Sequence, residues 1–284
     1  MEKAFYLVTT EHLADRLWFK DKEDFKAGMN YVAVLAALLN VDIIAFVLMS
    51  NHVHFVLYCD GTRAEAFIRE FKRRYSQYCN AKYHSREFLR SNGIDIREVS
   101  VGDESFERAV AYVQMNPVGA NICIDPSGYP WGTGELFFRN NPLPETRIGS
   151  LSVNARRSFL HSRDALPEDY RIDPRGYVSP ASYVQVSFVE SVFRTPKRMN
   201  YFLNSSSKAK RLNEAPAFND QLIQSAVQSL CISLFQRKGF ADLNDAQQTE
   251  VLRQIRYRFS ADPNQIARIS GLSYNEVCER LESC

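Results

Sequence analysis

Hydrophobic and polar positions alternate with two distinct periods along the first half of the chain. Ala4–Thr9 has the short apolar texture of a strand. Across Lys22–Asn40, Phe25, Met29, Val32, Leu35 and Leu39 recur at three- and four-residue steps, which predicts a helix. Val41–Met49 is almost continuously apolar, as expected for a strand covered on both faces. Ser50-Asn51 supplies turn residues, and His52–Tyr58 reads as a second strand beside the first. Thr62–Tyr83 returns to helical spacing, with Phe67, Phe71, Tyr75 and Tyr78 on one stripe. A short strand at Ile94–Val101 and a helix from about Asp103 to Asn116 follow, the latter ended by Pro117. The order β-α-β-β-α-β-α predicts an α+β fold, a ferredoxin-like antiparallel sheet with helices on one face.

The texture changes at Tyr129–Pro144, where Pro130, Gly132, Gly134, Pro142 and Pro144 fall close together. We therefore expect one domain over residues 1–140, an irregular connecting region over 141–186, and a mainly helical C-terminal domain over 187–284. Near the end, Asp262-Pro263 suits an N-cap and first turn, Gly271 a turn, and Ser273–Glu276 a capping box. Ala267, Gly271, Leu272 and Val277 have the spacing of a helix-turn-helix across 262–282. Such a module would dock duplex DNA with Tyr274, Asn275 and Arg280 exposed, although helical pairs of this length also occur in bundles that bind nothing.

Composition narrows the class. Of 284 residues, 45% are hydrophobic and 24% charged, which excludes a disordered chain and allows two domains. The net charge of +2 says little, but basic residues bunch at Lys72–Arg74, Arg156-Arg157, Lys197-Arg198 and Lys208–Arg211. The six cysteines form no C-x-x-C pair, which argues against a zinc ribbon or a disulfide scaffold. No signal-like segment follows Met1, and the apolar stretches are too short to span a bilayer. A reducing, cytoplasmic setting without membrane contact is the expectation.

The chemistry concentrates in two places. In His52-Val53-His54, strand alternation points both imidazoles to one face, about 7 Å apart along the strand. They chelate a metal or form a satisfied pair beneath a helix; the tripeptide alone does not decide. On the helix ending at Pro117, Phe106, Ala109, Val110 and Val113 define the buried stripe, while Ser105, Arg108, Tyr112 and Asn116 share a neighbouring flank. A phenol is a nucleophile when its oxyanion is stabilised, and an amide oxygen can complete a Mg²⁺ or Mn²⁺ site. Read alone, Tyr112 fits a residue at the rim of the core better than a nucleophile. Arg63, Arg69, Lys72, Arg73 and Arg74 flank the aromatic stripe of their helix and suit a phosphate backbone, with Phe71, Tyr75 and Tyr78 read as core. Val56 stands where a His-x-His-x-His nucleotide hydrolase would place its third histidine.

Together, Met49-Ser50-Asn51-His52-Val53-His54-Phe55-Val56 and Tyr112-Val113-Gln114-Met115-Asn116-Pro117-Val118 resemble the single-tyrosine HUH transposases, and most nearly the branch of REP-associated tyrosine transposases. Phe71–Tyr75, Tyr78, Asn80 and Tyr129-Pro130-Trp131 add to the likeness, which covers roughly residues 1–138. It implies that His52, His54 and Asn116 hold Mg²⁺ or Mn²⁺. Tyr112 would cleave and rejoin single-stranded or hairpin DNA through a 5′-phosphotyrosine intermediate, in a monomer or homodimer. Gly119-Ala120-Asn121 replaces the family's Arg-Ala-Gly, and Glu11-His12 with Asp15-Arg16 stands where an Arg-Gln pair is usual. Both departures bear on DNA contacts rather than on the reacting groups. The alternatives are a replication-initiator or relaxase-like nicking enzyme, and a domesticated DNA-binding regulator that no longer cuts.

Overall fold

The computed structural model describes residues 2–11, 16–84, 89, 93–139, 143–209 and 218–282. His12, Asp15, Lys210 and Arg211 lie outside the described residues.

Four antiparallel strands form the main sheet: β1 (Ala4–Thr10), β2 (Asp42–Met49), β3 (His52–Cys59) and β4 (Ile94–Val99). Their spatial order is β2-β3-β1-β4, the ferredoxin-like arrangement expected from the element order. Helix α1 (Lys22–Leu39) joins β1 to β2, and α2 (Gly61–Tyr83) joins β3 to β4. Asp21 caps the first of these and Asp60 the second, each accepting a backbone N–H three residues on.

Strand register decides what each face carries. Val8 pairs with Phe55, and Phe55 with Phe46, so these three side chains share one face. Helix α2 covers that face, with Phe67 and Phe71 rings 5.2 and 5.6 Å from Phe55. The other face carries Thr9, His54 and Val47 in one row and Phe5 beside Tyr58 in another. Helix α3 (Ser105–Gly119) lies over it, placing Phe106 5.0 Å from Phe5. The two crossover helices thus sit together on one face, and the third helix adds a layer on the opposite one. That placement follows from the pleat: a strand buried on both sides needs a cover on both.

Helix α3 runs one turn further than Pro117 suggests, because the proline sits inside its last turn. Pro117 lacks the N–H that Val113 would accept. The chain closes the end instead with Ala120 N–H donating to Asn116 and Ile122 N–H to Pro117, each at 2.9 Å.

Beyond α3, α4 (Val153–Leu160), the short strands β5 (Ile172–Asp173) and β6 (Tyr177–Val178), α5 (Val186–Phe193) and α6 (Pro196–Ser205) wrap the sheet domain. The free edge of β2 is covered: Leu48 N–H donates to Trp131 and Thr133 N–H to Phe46. Gly132 makes this approach possible, since a Cβ there would lie 2.5 Å from the Phe46 carbonyl oxygen. Buried apolar side chains from Val8 to Phe202 form one continuous core. A second core, from Ile223 to Val277, lies among α7 (Asp220–Phe235), α8 (Asp245–Phe259), α9 (Pro263–Ser270) and α10 (Tyr274–Glu282).

Candidate active site

Met49 and His52 are paired residues at the head of the β2–β3 hairpin, and His54 follows opposite Val47. The turn is anchored before the histidines begin. The Ser50 carbonyl accepts the N–H groups of Trp18 (2.7 Å) and Phe19 (3.1 Å), and the Tyr129 hydroxyl donates to Leu48 at 2.8 Å. Both imidazoles are buried, His52 at 4% and His54 at 2% exposure.

His52 Nδ1 lies 2.8 Å from Asn51 Oδ1. An amide oxygen only accepts, so in this contact Nδ1 carries the proton and Nε2 the lone pair, an atom through which imidazole can ligate a metal. The two rings are 4.7 Å apart at 87°. A metal about 2.1 Å from a ring nitrogen sits roughly 3.3 Å from the ring centre, so two imidazoles sharing one ion near a right angle have centres roughly 4.7 Å apart. The spacing of the two ring centres is the one that a shared ion would need. Among the described residues no group of three His, Cys, Asp or Glu side chains is placed to hold a metal.

Tyr112 meets this pair from α3, its ring edge-on to His54 with centroids 5.3 Å apart. The structure therefore gathers His52, His54 and Tyr112 into one row of rings. Asn116 is buried one turn further along, and its Nδ2 donates to the Tyr112 carbonyl at 2.8 Å, which leaves Oδ1 as the atom it can offer an ion. The phenol is half-buried, and burial pushes its pKa above the ordinary tyrosine value. Arg97 pulls it down and Asp95 pushes it up. These two β4 residues pair with Leu7 and Thr9, and so share the histidine face. Lys208 Nζ lies 5.2 Å from the Tyr112 ring centre. A cavity beside the tyrosine is lined by Leu7, Val99, Arg108, Phe202 and Ser206.

The other sequence candidates are placed elsewhere. Arg63 pairs with Asp60, Arg69 with Glu65, Arg73 with Glu70, and Arg74 with Glu70 and Asp164. Lys72 is buried at 2% exposure, and burial lowers its pKa. All five belong to α2, across the sheet from Tyr112. Phe71 and Tyr75 are core. Arg108 lies on the tyrosine's own helix, paired with Glu104 and 5.8 Å from the Phe202 ring centre. Tyr274 and Asn275 are exposed at the start of α10, whereas Arg280 is engaged with α8, donating to Gln248 and Asp245. Asn51, Asp95, Arg97 and Lys208 were not singled out individually from the sequence. Asp95 and Arg97 show only as two polar positions alternating on a short strand, a signal that gains meaning once β1 supplies the register.

The family model described as "Transposase IS200 like" matches residues 16–116, a span that holds both histidines, Tyr112 and Asn116. Over residues 16–116 the chain is similar to the IS200-like transposases. A solved structure described as "Structure of the REP associates tyrosine transposase bound to a REP hairpin" is 12% identical, with a TM-score of 0.37, over 46% of this chain and 77% of that one. No curated protein matches the chain. No helix among the described residues is long and apolar enough to cross a membrane.

Proposed function

We propose that the chain is a DNA strand-transferase that cleaves and rejoins single-stranded or hairpin DNA through Tyr112. The observation that carries this reading is the edge-on contact of Tyr112 with His54, next to His52, inside the segment that matches the transposase family. Tyr112 Oη attacks the scissile phosphorus and loses its proton. The bond from phosphorus to the 3′ oxygen breaks, and that oxygen takes up a proton, leaving a 5′-phosphotyrosine and a 3′-hydroxyl. Attack by a second 3′-hydroxyl reverses the step and rejoins the strand. His52, His54 and Asn116 would hold Mg²⁺ or Mn²⁺, which supplies Lewis acidity toward a phosphate oxygen. Asn51 fixes the His52 tautomer, and Asn116 ties its amide to the tyrosine's own turn. In-line attack needs a backbone free of its complementary strand, which favours single strands and hairpins.

The full chain, incubated with hairpin-forming oligonucleotides and Mn²⁺, should give a denaturation-resistant protein–DNA adduct. Mass spectrometry should place the DNA on the peptide containing Tyr112. Attachment to another residue, or cleavage without any adduct, overturns the reading.

The electrostatics of the tyrosine make a second demand. With a pKa above 10, the phenolate fraction at neutral pH rises tenfold for each unit the pKa falls. Removing Asp95 removes a group that raises it, and removing Arg97 removes one that lowers it. Single-turnover adduct formation at pH 7 should therefore speed up in Asp95→Asn and slow down in Arg97→Gln. Arg97 is 73% exposed, so solvent screening limits each change to roughly threefold. Shifts of the same sign in both variants would show that charge at β4 does not act on the phenol.

A further inference from the structure

The turn that presents His52 is held from outside the family-matched segment. Asp220 opens α7, far along the chain from residues 16–116, yet its carboxylate accepts the Ser50 hydroxyl at 2.6 Å. Asp220 is buried at 4% exposure and takes further donors from α9, Gln265 Nε2 at 2.9 Å and Arg268 Nε at 3.3 Å. Next to it, Gln221 Nε2 donates to the Phe19 carbonyl at 2.8 Å, and Phe19 N–H in turn donates to the Ser50 carbonyl. The loop is closed: α7 grips Ser50 and Phe19, which already grip each other. A buried carboxylate with donors on every side is rigid, because breaking any one bond leaves charge under-compensated in a medium of low dielectric.

Ser50 is followed directly by Asn51, whose side chain orients His52. We infer that Asp220 is a positioning residue for the histidine pair: through Ser50 it fixes the turn from which Asn51 holds His52 in its ligand tautomer. This rests on the proposed role of His52 and His54 as metal ligands, and it extends that role to the C-terminal helices. Part of the polar face of α9 is thereby spent on the contact with Asp220.

The test uses the full chain with Ser50→Ala, which removes one hydroxyl, with Asp220→Ala, and with the double variant. Mn²⁺ binding is measured by calorimetry at a temperature where circular dichroism shows every variant folded. The ¹⁵N shifts of the His52 ring are recorded without metal. Partners behind a metal-binding histidine are typically worth about 10- to 100-fold in metal affinity, so each single variant should bind Mn²⁺ about tenfold more weakly. The double variant should be no worse than the weaker single one, because both remove the same bond. The metal-free spectra should show the Nδ1–H tautomer losing population. Unchanged affinity and unchanged tautomer in Ser50→Ala and Asp220→Ala overturn the inference, as does a lower melting temperature with neither readout moved. Failure of the underlying reading looks different: wild type then binds no Mn²⁺, or His52→Ala binds it equally well. The metal-free tautomer in Ser50→Ala then decides by itself whether Asp220 positions His52.

Discussion

Replacing Tyr112 with Phe should abolish the protein–DNA adduct and lower strand cleavage by a factor on the order of a million, the scale seen when a catalytic serine nucleophile is removed. The substitution takes away one oxygen and keeps the ring. The edge contact with His54 and the approach of the Lys208 ammonium to the ring face both depend on that ring, so they persist. The Asn116 amide bonds the backbone carbonyl at position 112, which phenylalanine also has. Folding and affinity for the oligonucleotide should therefore stay close to wild type, and the loss should fall on the chemical step alone. Single-turnover cleavage beside a binding isotherm separates the two. If the Phe variant cuts within tenfold of wild type, the attacking oxygen belongs to another group and Tyr112 only packs against the histidines.

Much of this arrangement was legible in the residues, and the parts that were not share a cause. Periods of two and 3.6 are local, so β2, β3, α1 and α2 fall within a residue or two of where the apolar pattern puts them. Alternation along β3 is also local, which is why His52 and His54 could be placed on one face before any partner was known. What covers that face is a tertiary matter. The basic residues and the aromatic stripe of α2 share a helix, and the crossover from β3 carries all of them to the side of Phe55. Asp95 and Arg97 reach the tyrosine's face only through pairing with β1, a relation between segments some ninety residues apart. The Ser50–Asp220 bond joins positions 170 residues apart and has no local signature. The continuation of α3 past Pro117 is a different case, in which tertiary packing and new carbonyl partners override a local breaker.

His54→Ala should cost about a thousandfold in metal-dependent cleavage, the scale of a lost Lewis-acid contribution of about 4 kcal/mol. His54 is the middle of the three rings, in contact with His52 on one side and Tyr112 on the other, so its loss cuts the link between ligand pair and nucleophile. Because the side chain is buried, alanine also leaves a cavity and lowers stability. His54→Asn fills more of that space, and should be nearly as inactive while melting closer to wild type. Two ligands of one ion act as a unit, so His52→Ala combined with His54→Ala should be little worse than either alone. Mn²⁺ supplies an independent readout: it should raise the melting temperature of the wild type and leave both His54 variants unmoved, since a ligand stabilises only the fold that binds it. A His54→Ala protein that still cuts in proportion to added Mn²⁺ would move the metal away from the histidine pair. The row of rings would then be a packing motif on the face of the sheet.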